Sequence, residues 1–141
     1  MKIYMFLLAI AMILILLTGQ SFSGTMTKQD SAIERGETNL MIALNSDNYG
    51  LKTSAAQILG DIKSDKAVIP LMRILHNSSD ENMRVLAAYS LYKIQNRIGM
   101  YAVKQAIRFD DSKRVRKMCN NFYLDSIKQE VAAARQETEV K

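Results

Sequence analysis

The feature that most constrains this chain is a sequence pattern that recurs after 32 residues. Residues 51–62 read LKTSAAQILGDI, and residues 83–94 read MRVLAAYSLYKI. In both segments a basic residue precedes an Ala-Ala pair, which is followed by Leu and then by Ile. Ile69-Pro70-Leu71 aligns with Tyr101-Ala102-Val103 at the same offset. A fixed period of this length is typical of solenoids, in which one supersecondary unit stacks on the next.

The apolar residues within each period have helical spacing. In the first unit they recur at intervals of three and four residues, which marks one face of a helix. Pro70 stands near the start of a second, shorter apolar segment, and the polar run HNSSDE ends it. One unit is therefore predicted to be a helix, a turn, a second helix and a polar link. A single Pro and no Trp in 141 residues agree with an all-α fold.

These residues resemble HEAT repeats of the short bacterial type, also called phycobilisome-lyase-like HEAT repeats. The resemblance rests on the basic residue before the alanines, the Ala-Ala pair, the Leu-Gly or Leu-Tyr step, and the Val-Ile-Pro-Leu segment that opens the second helix. It covers residues 30–127. It implies a short right-handed α-solenoid of about two full HEAT-type hairpins. Residues 33–44 would form an N-terminal capping helix, and the degenerate third unit a C-terminal cap.

Residues 1–23 have the layout of a secretory signal peptide. Lys2 precedes an apolar run over residues 3–17, and Ser21 and Ser23 place small residues before a cleavage point at Gly24. We therefore expect an exported protein, periplasmic or secreted. The alternative is a membrane anchor formed by residues 3–17, although this run is shorter than the roughly 20 residues of a spanning helix. Residues 24–29 are predicted to be flexible, and residues 128–141 to form a charged tail that is either a fraying helix or disordered.

Few residues of the chain could support catalysis. His76 is the single histidine, and its place at the end of a predicted helix suits a capping or surface role. Cys119 occupies a position that is Ala in the other units, which predicts a buried thiol rather than a nucleophile. The sequence has no cluster with metal-ligand spacing and no glycine-rich phosphate loop. We therefore expect a protein that is not an enzyme and that needs no metal or cofactor.

A basic residue recurs at the same place in each unit, as Lys52, Arg84 and Arg116. The resemblance to HEAT-type proteins implies that this residue forms a structural ion pair with a carboxylate of a neighbouring link. The candidate carboxylates stand four to five residues upstream and are Asp47, Asp80 and Asp111.

Two surfaces are candidates for binding a partner. Second helices line the concave side of most such solenoids, and the repeat register places there Met41, Ile69, Met72, Arg73, Tyr101, Lys104 and Arg108. Exposed methionines suit an adaptable binding surface; the alternative is that the apolar members belong to the core. The other surface is a basic cluster over residues 84–117, with nine Lys and Arg against two acids. It is either a solvated helical face or an attractor of anions.

The leading hypothesis is an exported, non-catalytic scaffold or adaptor that binds a protein or peptide on its concave face. One alternative is a binder of an anionic envelope component or of nucleic acid through the basic cluster, whose affinity would fall steeply with salt. The export signal argues against nucleic acid. The other alternative, suggested by the resemblance, is an accessory lyase or chaperone-like HEAT protein.

Overall fold

The computed structural model describes the backbone of residues 28–139 and the side chains of residues 34–136. This part of the chain folds into α-helices and one short 3-10 turn, Asp65–Ala67, and contains no strand. The helices are α1 (Lys28–Leu44), α2 (Tyr49–Asp61), α3 (Val68–Asn77), α4 (Glu81–Ile94), α5 (Arg97–Phe109) and α6 (Lys113–Glu139). The predicted all-α class, a short HEAT-type solenoid, is confirmed. The predicted signal peptide, residues 1–23, lies outside the described residues.

The helices pack in two layers. The first helices α2, α4 and α6 lie side by side, and the second helices α3 and α5 form the other layer. Helix α4 is central, because it packs against α2, α3, α5 and α6. The core between the layers is made of the periodic Leu, Val and Ala positions; its fully covered members include Leu59, Leu71, Leu91, Val103 and Val115.

The Ala-Ala pairs allow the first helices to approach closely. Ala55, Ala56, Ala87 and Ala88 are all buried, and Cys119 is buried at the corresponding place in α6. Across the α2–α4 contact, the Ser90 hydroxyl donates a hydrogen bond to the Ala56 carbonyl oxygen over 2.8 Å. The small side chains therefore set the spacing of the units, as their repetition in the sequence predicts.

The polar links between units share one hydrogen-bonding pattern. A side-chain oxygen at the start of each link accepts from the backbone N–H two residues later, at distances of 2.9–3.3 Å. The residue that supplies this N–H is itself the N-cap of the next first helix, and its side chain accepts from the first turn. The pairs are Ser46 with Asn48, Ser78 with Asp80, and Asp110 with Ser112.

Helix α6 is twice as long as the other first helices because nothing ends it. Helices α2 and α4 stop where Lys63 and Gln95 adopt left-handed backbone conformations, with φ of 54° and 61°. Ser64 and Asn96 follow as N-caps of the next segments. The corresponding residue of the third unit is Ile127, whose β-branched side chain strongly disfavours the left-handed conformation. The helix therefore continues to Glu139, through the segment predicted as a tail.

Helix α1 is a lone second helix at the N-terminal side of the stack. It begins at Lys28, two residues before the predicted domain start. Glu37 anchors it, because its carboxylate accepts a short hydrogen bond from the Ser64 hydroxyl and pairs with the Lys66 ammonium over 2.9 Å. These bonds, the Ser64 hydroxyl first, hold the pKa of Glu37 below its ordinary value of 4.5.

Candidate functional site

A groove of about 1040 Å³ runs between the second helices α3 and α5. Three of its large apolar side chains are more than half exposed: Ile69 at 55%, Tyr101 at 62% and Phe109 at 73%. Met72 and Leu75 complete the apolar lining on α3, and Ala102 and Ala106 on α5. Alanines on α5 keep the groove open between the larger side chains. A continuous apolar surface of this kind is typical of an interaction site.

The polar end of the groove is built by the link residues. Arg84 and Asp110 form a two-pronged ion pair there, with Nε–Oδ2 and Nη2–Oδ1 distances of 2.9 and 3.1 Å. Both side chains are largely buried, at 12% and 7% exposed. Arg84 also donates from Nη1 to the carbonyl oxygens of Ser78 and Ser79. The pair is therefore part of the framework and holds the floor of the groove in place.

Four of the seven residues predicted for the concave face line this groove: Ile69, Met72, Arg73 and Tyr101. Lys104 does not, because its ammonium lies 5.5 Å from the centre of the Tyr123 ring on α6. Arg108 is exposed but is not among the groove residues. Met41 on α1 is half-buried and packs against the core. The structure therefore brings four members of the predicted concave set together in this groove and leaves Lys104, Arg108 and Met41 outside its lining.

Phe109 is the groove residue that the sequence analysis missed. It is the last residue of α5 and the most exposed large apolar side chain among the described residues. The repeat itself contained a signal, since the equivalent positions are Asn45 and Asn77, both polar residues at the end of a second helix. An aromatic residue in place of two asparagines marks a position that the repeat framework does not require.

Arg84 and Arg116 have partners other than those expected. Arg84 pairs with Asp110 of the following link and not with Asp80, whose carboxylate caps α4 by accepting from the Asn82 N–H. The guanidinium of Arg116 donates to the backbone carbonyl oxygens of Asp110 and Asp111, so the expected pairing with the Asp111 carboxylate is corrected.

Lys52 forms no ion pair with Asp47 within the described part of the chain. The place in the following link that Asp110 fills for Arg84 is filled by the uncharged Ser78 for Lys52, and the Lys52 ammonium lacks the fork of the Arg guanidinium.

The basic cluster over residues 84–117 is divided among several faces. Lys93 pairs with Asp61 on α2 over 3.3 Å, and Arg114 donates to the Asn82 amide oxygen over 2.7 Å. Arg84, Lys104 and Arg116 are held by the intramolecular contacts described above. Five of the nine basic residues of the cluster therefore have partners within the molecule.

The described residues contain no group of three or more His, Cys, Asp or Glu side chains that could hold a metal ion. His76 is exposed in the last turn of α3, as predicted for a surface residue, and it borders the groove. Cys119 is fully buried. Burial, with a smaller effect of the Asp110 carboxylate, raises the pKa of its thiol to about 12, so the nucleophilic thiolate is not available at neutral pH.

Comparison with known proteins agrees with the packing. A model of HEAT repeats matches residues 37–120, which is more than half of the chain and includes both groove helices. No curated protein matches the sequence. Over residues 28–139, no helix has the length and the hydropathy that crossing a membrane requires. The family match, the paired helices and the 32-residue register agree, and the chain belongs to the HEAT-repeat family.

Proposed function

We propose that this protein is an exported, non-catalytic interaction module that binds an amphipathic helix of a partner protein in the α3–α5 groove. HEAT repeats are commonly protein-interaction scaffolds, and the fold is typically non-catalytic. The single observation that supports the groove most strongly is the exposure of Ile69, Tyr101 and Phe109 along its length. Three large apolar side chains in water are costly unless another surface covers them.

The dimensions of the groove favour a helical ligand. Tyr101 and Phe109 stand eight residues apart on α5, which at 1.5 Å per residue is about 12 Å, or roughly two helical turns. An amphipathic helix that presents apolar residues at positions i, i+4 and i+7 would meet both aromatic anchors. Ile69 and Met72 on α3 form the opposite wall.

The charges at the groove favour an apolar contact with modest electrostatic steering. Arg84 and Asp110 neutralise each other, which leaves Arg73 and Asp111 as the exposed charged side chains of opposite sign in the lining. The ligand helix therefore needs no strong net charge, and we expect its affinity to depend weakly on salt. This expectation separates the proposal from binding of an anionic polymer, for which affinity falls steeply with salt.

Export is part of the proposal and rests on the signal-peptide pattern of residues 1–23. Intact-mass analysis of the chain made from the full coding sequence tests it directly. A soluble species that begins at Gly24 supports export with cleavage. A full-length species in the membrane fraction would replace it with anchoring by residues 3–17.

The groove is tested by a charge substitution that leaves the framework intact. Tyr101→Glu combined with Phe109→Glu places two carboxylates on exposed positions, so the helices should still fold. Partners that co-purify with the wild type should be lost. Ile98→Glu is the matched control, because Ile98 lies on the same helix, is 57% exposed and does not line the groove. Unchanged partner binding by the folded double variant would refute the groove.

A further inference from the structure

The stack of first helices carries an exposed apolar edge at each end. The N-terminal edge, on α2, consists of Leu51, Ile58 and Ile62, and the C-terminal edge, on α6, consists of Leu124, Ile127 and Val131. All six side chains are between 39% and 50% exposed. Terminal units of solenoids ordinarily present polar outer faces, which keep the stack from growing. Neither edge meets that requirement.

The first and the last described helices also occupy complementary places in a unit. Helix α1 has the place of a second helix, and no first helix precedes it within the described residues. Helix α6 has the place of a first helix, and no second helix follows it within the described residues. A second copy placed beyond α6 would bring its own α1 to the place of this missing helix, and the two half-units would form one whole unit.

The contacts inside the molecule show which positions meet across a unit boundary. Between α4 and α6, the Ser126 hydroxyl donates to the Gln95 amide oxygen over 3.0 Å. The rings of Tyr92 and Phe122 stack with centroids 5.6 Å apart and an angle of 19° between their planes. These two pairs define the register that any further unit in the stack would follow.

Continuing this register by one unit brings the two apolar edges together. At the boundary between copies, Ile127 of the first copy takes the place of Gln95, and Ile62 of the second copy takes the place of Ser126. In the same way, Leu124 of the first copy takes the place of Tyr92, and Ile58 of the second copy takes the place of Phe122. A polar pair is thus replaced on both sides at once by an Ile–Ile pair, and a stacked aromatic pair by Leu–Ile. Joint replacement at both positions is what an apolar interface between copies requires.

We propose that this protein associates head to tail, with the C-terminal edge of one copy packed on the N-terminal edge of a second copy. The interface is heterologous, so it continues from copy to copy, as an open chain or a ring, rather than closing as a symmetric dimer. A shallow depression of about 440 Å³ on α6, lined in part by Ile127 and Val131, receives the Ile side chains of the partner copy.

One pair of charges opposes this association. Inside the molecule, Lys93 lies opposite Asp61 of the preceding unit. At the boundary between copies, Asp125 of the first copy takes the place of Asp61, and Asp61 of the second copy takes the place of Lys93. Two carboxylates therefore face each other there. Each carboxylate already has partners in its own chain, since Asp61 pairs with Lys93 and Asp125 accepts from the Tyr92 hydroxyl and from Gln129. The apolar pairs therefore supply the association, and added salt strengthens it slightly by screening the two acids.

Mixing two single variants of the full chain tests both the interface and its polarity. Ile62→Glu damages only the N-terminal edge, and Ile127→Glu only the C-terminal edge. By sedimentation equilibrium, the wild type should show a mass that rises with concentration past that of a dimer. Each variant alone should need a concentration about tenfold or more higher to associate. An equimolar mixture should form a dimer and stop there, because one intact edge of each kind remains.

The control and the contradicting results are equally specific. Ile98→Glu, an exposed apolar residue outside both edges, should associate like the wild type. A wild type that stays monomeric, or variants that associate normally, would refute the proposal, as would a mixture that stays monomeric while the wild type associates. A disulfide between Ile62→Cys and Ile127→Cys copies, in a Cys119→Ala background, would give independent support. Ile127→Cys homodimers alone would overturn the head-to-tail arrangement.

Discussion

Replacement of Gly60 by Ala tests the close packing of α2 on α4 that the repeat imposes. A Cβ atom at residue 60 would stand 2.9 Å from the Cα and 3.0 Å from the Cβ of Ser90. Carbon atoms pack best at about 3.5–4.0 Å, and a backbone atom cannot rotate away. The two helices must therefore separate, which also stretches the buried Ser90–Ala56 hydrogen bond.

The expected cost follows from three contributions. Overpacking of a tight core contact costs about 1–3 kcal/mol, and a weakened buried hydrogen bond adds about 1 kcal/mol. Ala is a better helix former than Gly by up to about 1 kcal/mol, which offsets part of the loss. The net destabilisation is about 1–3 kcal/mol, measured by urea unfolding followed by circular dichroism.

The control is a glycine in the same kind of element without a neighbour. Gly36, on α1, has no atom within 4 Å of an added Cβ. Gly36→Ala should therefore be neutral or stabilising by about 0.5–1 kcal/mol. If Gly60→Ala were as stable as the wild type, the α2–α4 spacing described above would be wrong.

Three further predictions concern named side chains. Asp110→Ala should lower the unfolding free energy by about 3–5 kcal/mol because it leaves the buried Arg84 unpaired, whereas its exposed neighbour Asp111→Ala should change the urea midpoint little. The pKa of Glu37 is lowered in the folded state, so the stabilisation that its carboxylate provides is fully present above about pH 4.5 and is lost as the pH falls through the folded pKa. Glu37→Gln should therefore flatten the acid side of a plot of unfolding free energy against pH, and a curve unchanged from the wild type would contradict this role. Cys119, with its pKa raised to about 12 and its side chain buried, should react with iodoacetamide at neutral pH only in urea, and rapid labelling of the native chain would contradict its placement.

Most of the fold could be predicted from the sequence because two successive units carry the same pattern of small and apolar residues. Small residues at Ala55-Ala56 and Ala87-Ala88 indicate closely packed first helices, and these four side chains are buried. The turn residues between the helices indicate their ends. The continuation of α6 was less predictable, because a first helix ends at a residue in the left-handed conformation and Ile127 disfavours that conformation.

The site was harder to predict, because it depends on the angles at which neighbouring helices pack. Tyr101 and Lys104 stand one helical turn apart, yet one faces α3 across the groove and the other lies over the Tyr123 ring of α6. The partner of Arg84 also could not be read from one unit. The obvious nearby acid, Asp80, caps its own helix, and the true partner, Asp110, has Ser78 as its equivalent in the preceding unit.

Photo-crosslinking by position tests the central claim, that the α3–α5 groove is where this protein binds its partner. A photoreactive residue replaces Tyr101, Phe109 or Ile98, one at a time, in the chain as it is made in its own cells. We expect adducts of one common mass at residues 101 and 109, and none at residue 98 of the same helix. Adducts at residue 98 with none at the two groove positions would contradict it.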